Sequence, residues 1–206
     1  MKQILSNRNV QLGLFALALL VGVAFGHLDP AMASGVALVG AVVTAKSTQL
    51  TNRDATPMVL SNRAVQGGDL KHARGVCAIA NGDSIASIFK FCQVPSNAVI
   101  TSIRVTSPDI GTTTAGDIGL YRATADGAAV VDADLFASAL SLSGGALSKS
   151  EVLFESTTIT VANSEKRLWE HLSLSADSKT VYDLCLTLTA AADAAGSVLV
   201  EIDYTV

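Results

Sequence analysis

Aromatic residues are scarce in this 206-residue chain, at 5%, and charged residues make up only 16%. A core built here must come from small and β-branched side chains, which pack closely but bury little apolar area per residue. Association with a partner, or with another copy, is then a natural source of further stability. A basic surplus is also missing. The net charge is −4 and the isoelectric point near 5.2, and the richest basic stretch, Arg63 to Arg74 with Lys71 and His72, has no aromatic residue interleaved. Phosphate backbones call for clustered Lys and Arg, so a nucleic-acid partner is not expected.

Catalytic signatures are missing too. The chain has no GxSxG, no glycine loop ending in Gly-Lys-Ser/Thr and no HExxH. Its three cysteines, Cys77, Cys92 and Cys185, are far apart and form no CxxC pair, so they suggest no metal site. Cys92 and Cys185 sit in strand-like runs, where free cysteines behave as small hydrophobes; a disulfide is the weaker reading. Of the histidines, His27 lies in the amino-terminal segment, His72 in a basic loop and His171 beside Glu170. Adjacent helical residues point about 100° apart and do not normally pair. With no nucleophile alongside, His171 reads as a surface or interface residue. Asp117, Asp126, Asp132 and Asp134 form the densest acidic stretch, but their spacing fits no EF-hand, and capping or turn roles explain the last three better. Trp169, the lone tryptophan, reads as a core or interface anchor. The expectation is therefore of no enzyme, with no catalytic, cofactor-binding or metal residues.

What the chain does contain divides into three parts. Residues 1–33 hold Lys2 and Arg8, then an uncharged run from Val10 to Gly26, then Ala31-Met32-Ala33. A secretory signal has this layout. A membrane anchor is a second reading, since roughly 17 helical residues rise about 25 Å against a hydrocarbon core of about 30 Å. A third is that translation starts at Met32, which leaves the first 31 residues upstream. Residues 34–73 read as an extended arm: a second apolar stretch at 34–45, a first strand or ordered arm, is followed by turn residues such as Pro57 and Gly67-Gly68.

Residues 74–206 read as a β-domain. Strands are expected at Ala73–Ala80, Ser84–Val94, Ala98–Ser107, Asp117–Arg122, Val152–Phe154, Thr157–Val161, Thr180–Thr189 and Ser197–Val206. The last alternates cleanly, with Val198, Val200, Ile202, Tyr204 and Val206 on one face. Val99, Thr101, Ile103 and Val105 are expected to share a face likewise. Asn81-Gly82-Asp83 is a hairpin signal, because Asn and Gly accept the positive φ of tight turns. Short helices are expected at Asp132–Leu142 and Ser164–Leu172. Many short strands with few helices indicate a mainly β, antiparallel β-sandwich, with jelly-roll topology the leading choice.

Several segments carry a family resemblance: Lys46-Ser47-Thr48-Gln49-Leu50-Thr51-Asn52-Arg53-Asp54, Asn81-Gly82-Asp83-Ser84, Phe91-Cys92-Gln93-Val94-Pro95-Ser96-Asn97-Ala98, Asp117-Ile118-Gly119-Leu120-Tyr121 and Val131-Asp132-Ala133-Asp134-Leu135-Phe136-Ala137. In their order, the stretch from Val43 to Val206 resembles the capsid decoration, or cement, proteins of tailed bacteriophages. The resemblance implies a homo-oligomeric jelly-roll, dimer or trimer, that binds the outside of a shell and bridges subunits of the major capsid protein. Such a virion protein assembles in the host cytoplasm, which residues 1–31 contradict unless they are unused. The alternative expectation is an exported or membrane-anchored bacterial β-sandwich that binds surfaces from the envelope or after secretion.

Overall fold

Eight strands carry the fold: β1 (Leu70–Ile79), β2 (Ile88–Pro95), β3 (Val99–Ser107), β4 (Ala115–Arg122), β5 (Val130–Ser141), β6 (Leu147–Glu151), β7 (Val181–Ala190) and β8 (Gly196–Thr205). The computed structural model describes residues 46–60 and 63–206; the amino-terminal segment 1–33 and the stretch 34–45 lie outside the described residues. The strands pair antiparallel in two four-stranded sheets, β1-β8-β3-β6 and β2-β7-β4-β5. Successive strands cross between sheets except at the β4–β5 hairpin, which gives the jelly-roll. Two one- to two-turn helices, α1 (Thr48–Arg53) and α2 (Leu168–His171), and a 3₁₀ turn at Thr124–Asp126 complete the described elements.

The strand pattern follows from alternation. On β8, Val198, Val200 and Ile202 are fully buried between the sheets, while Ser197 and Leu199 face outward. On β7, Tyr182, Leu184, Leu186 and Leu188 point inward against Ile118 and Leu120 of β4. Phe136 is the largest fully buried side chain of this interior, whose remaining members are mostly Val, Ile and Leu. Burying each aliphatic side chain contributes about 1.5–3 kcal/mol, so many modest terms replace a few aromatic ones.

Two glycines are required by close approach. A Cβ at Gly75 of β1 would lie 2.2 Å from the Phe91 carbonyl oxygen of β2, and one at Gly119 of β4 would lie 2.1 Å from the Asp132 carbonyl oxygen of β5. Both neighbours are backbone at register shifts, Lys90/Cys92 on β2 and Ile118/Leu120 on β4. The bulged strand leans onto its neighbour there, and only a missing side chain leaves the room.

Several local expectations are corrected. Asp132–Leu142 is part of β5, not a helix. Three register shifts against β4 bury Leu135, Phe136 and Ala137 in succession, and that run imitates helical spacing. The Ser164–Leu172 helix shrinks to the single turn Leu168–His171, capped by a reciprocal Arg167–Glu170 arrangement rather than by Ser164. Val152–Phe154 and Thr157–Val161 are turns in the long β6–β7 connection, where Val152, Leu153 and Ile159 plug the core. On β3 an extra residue at Thr101 shifts the phase, so Ile100, not Val99, joins Ile103 and Val105 opposite the inward face of β8. Asn81-Gly82 does turn the chain, with Asp83 N donating to Ala80 O at 3.1 Å, but β1 and β2 belong to different sheets. The expected arm at 34–73 contains α1 and gives way to sheet at Leu70.

Candidate functional site

The two ends of the sandwich differ in build. At one end the β1–β2, β3–β4, β5–β6 and β7–β8 connections knit together: Gly82 N donates to Ala192 O at 2.8 Å, and Ile110 N to Leu142 O at 2.8 Å. Asp193 is the hub. Its carboxylate accepts from Thr112 N at 2.9 and 3.0 Å, from Thr112 Oγ1 at 2.5 Å and from Thr114 Oγ1 at 3.1 Å. Hydrogen bonds from the Thr112 hydroxyl and then the Thr112 amide hold its carboxyl at about 2. Asp193 thus ties down a closed, polar end.

The other end is broad and less polar. Here α1, residues 55–60 and 63–69 and the long β6–β7 connection gather around the ends of the strands. Leu168 N donates to Ala98 O at 2.9 Å and Trp169 N to Ser96 O at 3.0 Å. Ser96 Oγ also meets Asp177 at 2.5 Å, and that bond lowers the Asp177 carboxyl below the ordinary range. α1 buries none of its residues; Gln49 Nε2 reaches Glu165 Oε2 at 2.7 Å across a cleft of about 340 Å³. Among the described residues, all exposed large apolar side chains except Val76, Ile85 and Ile88 lie at this end. Leu60 at 82%, Val161 at 81% and Met58 at 60% are the most exposed of that end apart from Leu70.

A third assembly lies on the outer face of the first sheet. Register places Arg74 beside Glu201, Glu201 beside Arg104 and Arg104 beside Glu151, a row of alternating charge across four strands. In the next row, Asp203 Oδ1 lies 2.7 Å from His72 Nδ1 and Oδ2 lies 2.6 Å from Arg104 Nη2. Burial raises the Asp203 carboxyl, but the His72 hydrogen bond and the Arg104 charge outweigh it and leave a net lowering. Glu201 is 7% exposed despite its outward position, with His72 Nε2 4.0 Å from its Oε1. His72 therefore sits in β1, not in a basic loop, and works as a sheet clamp. The sequence pattern concealed this, since its partners come from strands far along the chain.

His171 is half-buried on α2 and lines a cleft of about 440 Å³ with Arg122, Asp132, Ser178 and Tyr182. Burial, then the Lys166 charge, lower its pKa, while Glu170 opposes the change. Glu170 accepts from Arg167 N at 2.7 Å, the N3-to-N-cap contact of the helix start, and so is not turned to His171. Burial, then Asp134, raises the Asp132 carboxyl. No Ser, Thr or Cys side chain among the described residues hydrogen-bonds either His72 or His171. The acidic stretch is dispersed: Asp117 of β4 accepts from Ala139 N at 2.7 Å, Asp126 ends the 3₁₀ turn, and Asp132 and Asp134 lie in β5 rather than at caps. Trp169 is half-buried, and its indole Nε1 is buried with no acceptor among the described residues.

The thiols are free. Burial raises Cys185 to about 12 and Cys92 to about 11, and also raises Cys77; such thiols are poor nucleophiles. Among the described residues no group of three or more His, Cys, Asp or Glu side chains is arranged for a metal ion, and no helix is long and apolar enough to cross a membrane.

The arrangement thus defines a mainly β jelly-roll with one tightly closed end and one broad apolar end. No protein-family model matches the chain, and no curated protein does. Among solved structures it is similar to a chain of the cyanophage Pam1 capsid asymmetric unit, at a TM-score of 0.46 and 19% identity over 68% of this chain and 86% of that one.

Proposed function

We propose that this protein is a non-enzymatic virion component that binds the outer surface of a phage capsid and bridges neighbouring capsid subunits. The observation that carries the reading is the concentration of exposed apolar side chains at one end of the sandwich, around α1 and the β6–β7 connection. An exposed apolar patch on an otherwise well-packed domain marks a protein-binding surface. The resemblance of its order of segments to capsid decoration proteins supports the major capsid protein as the kind of partner.

Attachment runs through this end and not by strand addition. Edge strand β1 carries Lys71, His72 and Arg74; β2 has a bulge and ends on Pro95; β5 is repeatedly bulged; and β6 is only five residues long. These features discourage edge pairing. Many weak contacts, repeated over a shell by a dimer or trimer, would resist internal pressure without a single strong bond. The site of action is the virion surface after assembly in the host cytoplasm, with no nucleic-acid partner and no cofactor.

Purified protein added to particles that lack it should co-sediment in a saturable, stoichiometric manner and raise their resistance to heat. Recovery of the protein only in host membranes would overturn the reading. That outcome would favour an envelope or secreted surface-binding role, for which the uncharged run from Val10 to Gly26 after Lys2 and Arg8 speaks.

A further inference from the structure

The cleft beside α2 collects polar groups that the fold leaves without partners. Its volume is about 440 Å³, inside the range of about 300–1,000 Å³ found for small-molecule sites. Arg122 comes from the end of β4, Val131 and Asp132 from β5, His171 and Leu172 from the end of α2, and Ser178 and Tyr182 from the approach to β7. Register sets Arg122 beside Tyr182 and Leu120 of the same strand beside Asp132, so long-range pairing brings a cation and a carboxylate to one opening. They do not neutralise each other. Among the described residues Arg122 and Asp132 form no ion pair, and the half-buried ring of His171 has no hydrogen-bond partner.

We propose that this cleft binds a neutral saccharide of roughly one or two rings, with Arg122, Asp132 and His171 hydrogen-bonding its hydroxyls and Val131, Leu172 and Leu174 covering the C–H face of a ring. The proposal goes beyond attachment to a shell and does not depend on it, since none of Met58, Leu60, Phe154 and Val161 lines the cleft.

The inventory of donors and acceptors selects this class. A guanidinium only donates, a carboxylate only accepts, and a neutral imidazole does one of each. Burial and then the Lys166 charge lower His171 from its ordinary value, which is about 6.5, so the ring is neutral at pH 7 and serves both ways. Ser178 Oγ and Tyr182 OH, 3.1 Å apart, add hydroxyls that donate and accept. Each sugar hydroxyl also donates and accepts, so a polyol satisfies a mixed set that a ligand of one kind does not. The planar guanidinium and carboxylate each have the fork geometry to meet two neighbouring hydroxyls. Other classes fit less well. A phosphate would pair with Arg122 but face Asp132 and the Asp134 carboxyl beside it. A metal ion finds no group of three His, Cys, Asp or Glu ligands among the described residues. An aliphatic ligand would strip water from Arg122 and Asp132 and return no hydrogen bond.

The test follows the ring protons of His171 by nuclear magnetic resonance in the full chain, assigned by their loss in His171→Gln. The probes are glucose, galactose, mannose, N-acetylglucosamine, lactose and maltose, then phosphate, calcium chloride and glycine. The expected result is a saturable shift of the His171 signals with at least one saccharide, in the millimolar range, while the His72 signals stay still. Arg122→Gln and Asp132→Asn should each weaken that binding at least fivefold with an unchanged melting temperature. No response to any of the saccharides, a response indifferent to both substitutions, or a response to phosphate, calcium or glycine in place of the sugars would each overturn the proposal. Particle binding is read separately, so failure of the shell reading leaves this result standing.

Discussion

At the scale of single residues, stability rests on many small buried groups and a few polar hubs. Phe136 is the bulkiest fully buried side chain, and its truncation should cost most: Phe136→Ala is expected to lower unfolding free energy by about 3–5 kcal/mol in urea denaturation. Asp193 acts by charge and hydrogen bonding. Its carboxyl is held at about 2 in the folded protein, below an ordinary aspartate of about 3.9. A depressed folded value means stabilisation present above about pH 4 and lost as pH falls through about 2. The stability gap between the wild type and Asp193→Asn should therefore be full at pH 6 and close across that window in pH-dependent thermal melts; a gap independent of pH would contradict the role given to Asp193. Asp203, also lowered overall, should show the same sense of change in Asp203→Asn. Among the thiols, Cys92 and Cys185, with values near 11 and 12, should resist alkylation at pH 8 in native protein and react after denaturation. Rapid native labelling of Cys185 would mean that β7 is not closed over.

At the scale of elements, the sequence is legible where alternation is unbroken and obscure where the strand is bulged or short. β7 and β8 read directly, because Tyr182, Leu184, Leu186 and Leu188, and Val198, Val200 and Ile202, keep a strict period of two. β5 did not, since its register shifts bury three successive residues and so erase the period. β6, Leu-Ser-Lys-Ser-Glu, offers one apolar residue and is a strand only because β3 supplies its ladder. The charge row Arg74–Glu201–Arg104–Glu151 was beyond sequence reasoning for a similar reason, as its members meet only through long-range pairing. Gly119 tests the bulge account. Gly119→Val should destabilise strongly through the β5 backbone at Asp132, read as a fall in melting temperature.

At the scale of the whole molecule, the contrast between the two ends matters most. A hydrogen-bonded end organised by Asp193 gives a firm base, and the opposite end leaves Met58, Leu60, Phe154 and Val161 exposed. The turn-rich composition within 34–73 suggests an extended arm there, whereas its helix α1 and the plugging role of Val152, Leu153 and Ile159 are not legible from composition. The central claim is that this end attaches the protein to a capsid. The most direct measurement is a binding isotherm of purified protein on particles that lack it, comparing wild type with Val161→Asp, an 81% exposed position outside the core. The account predicts saturable binding for the wild type and at least tenfold weaker binding for the variant with an unchanged melting temperature. Absence of wild-type binding, or equal binding by the two proteins, would contradict it.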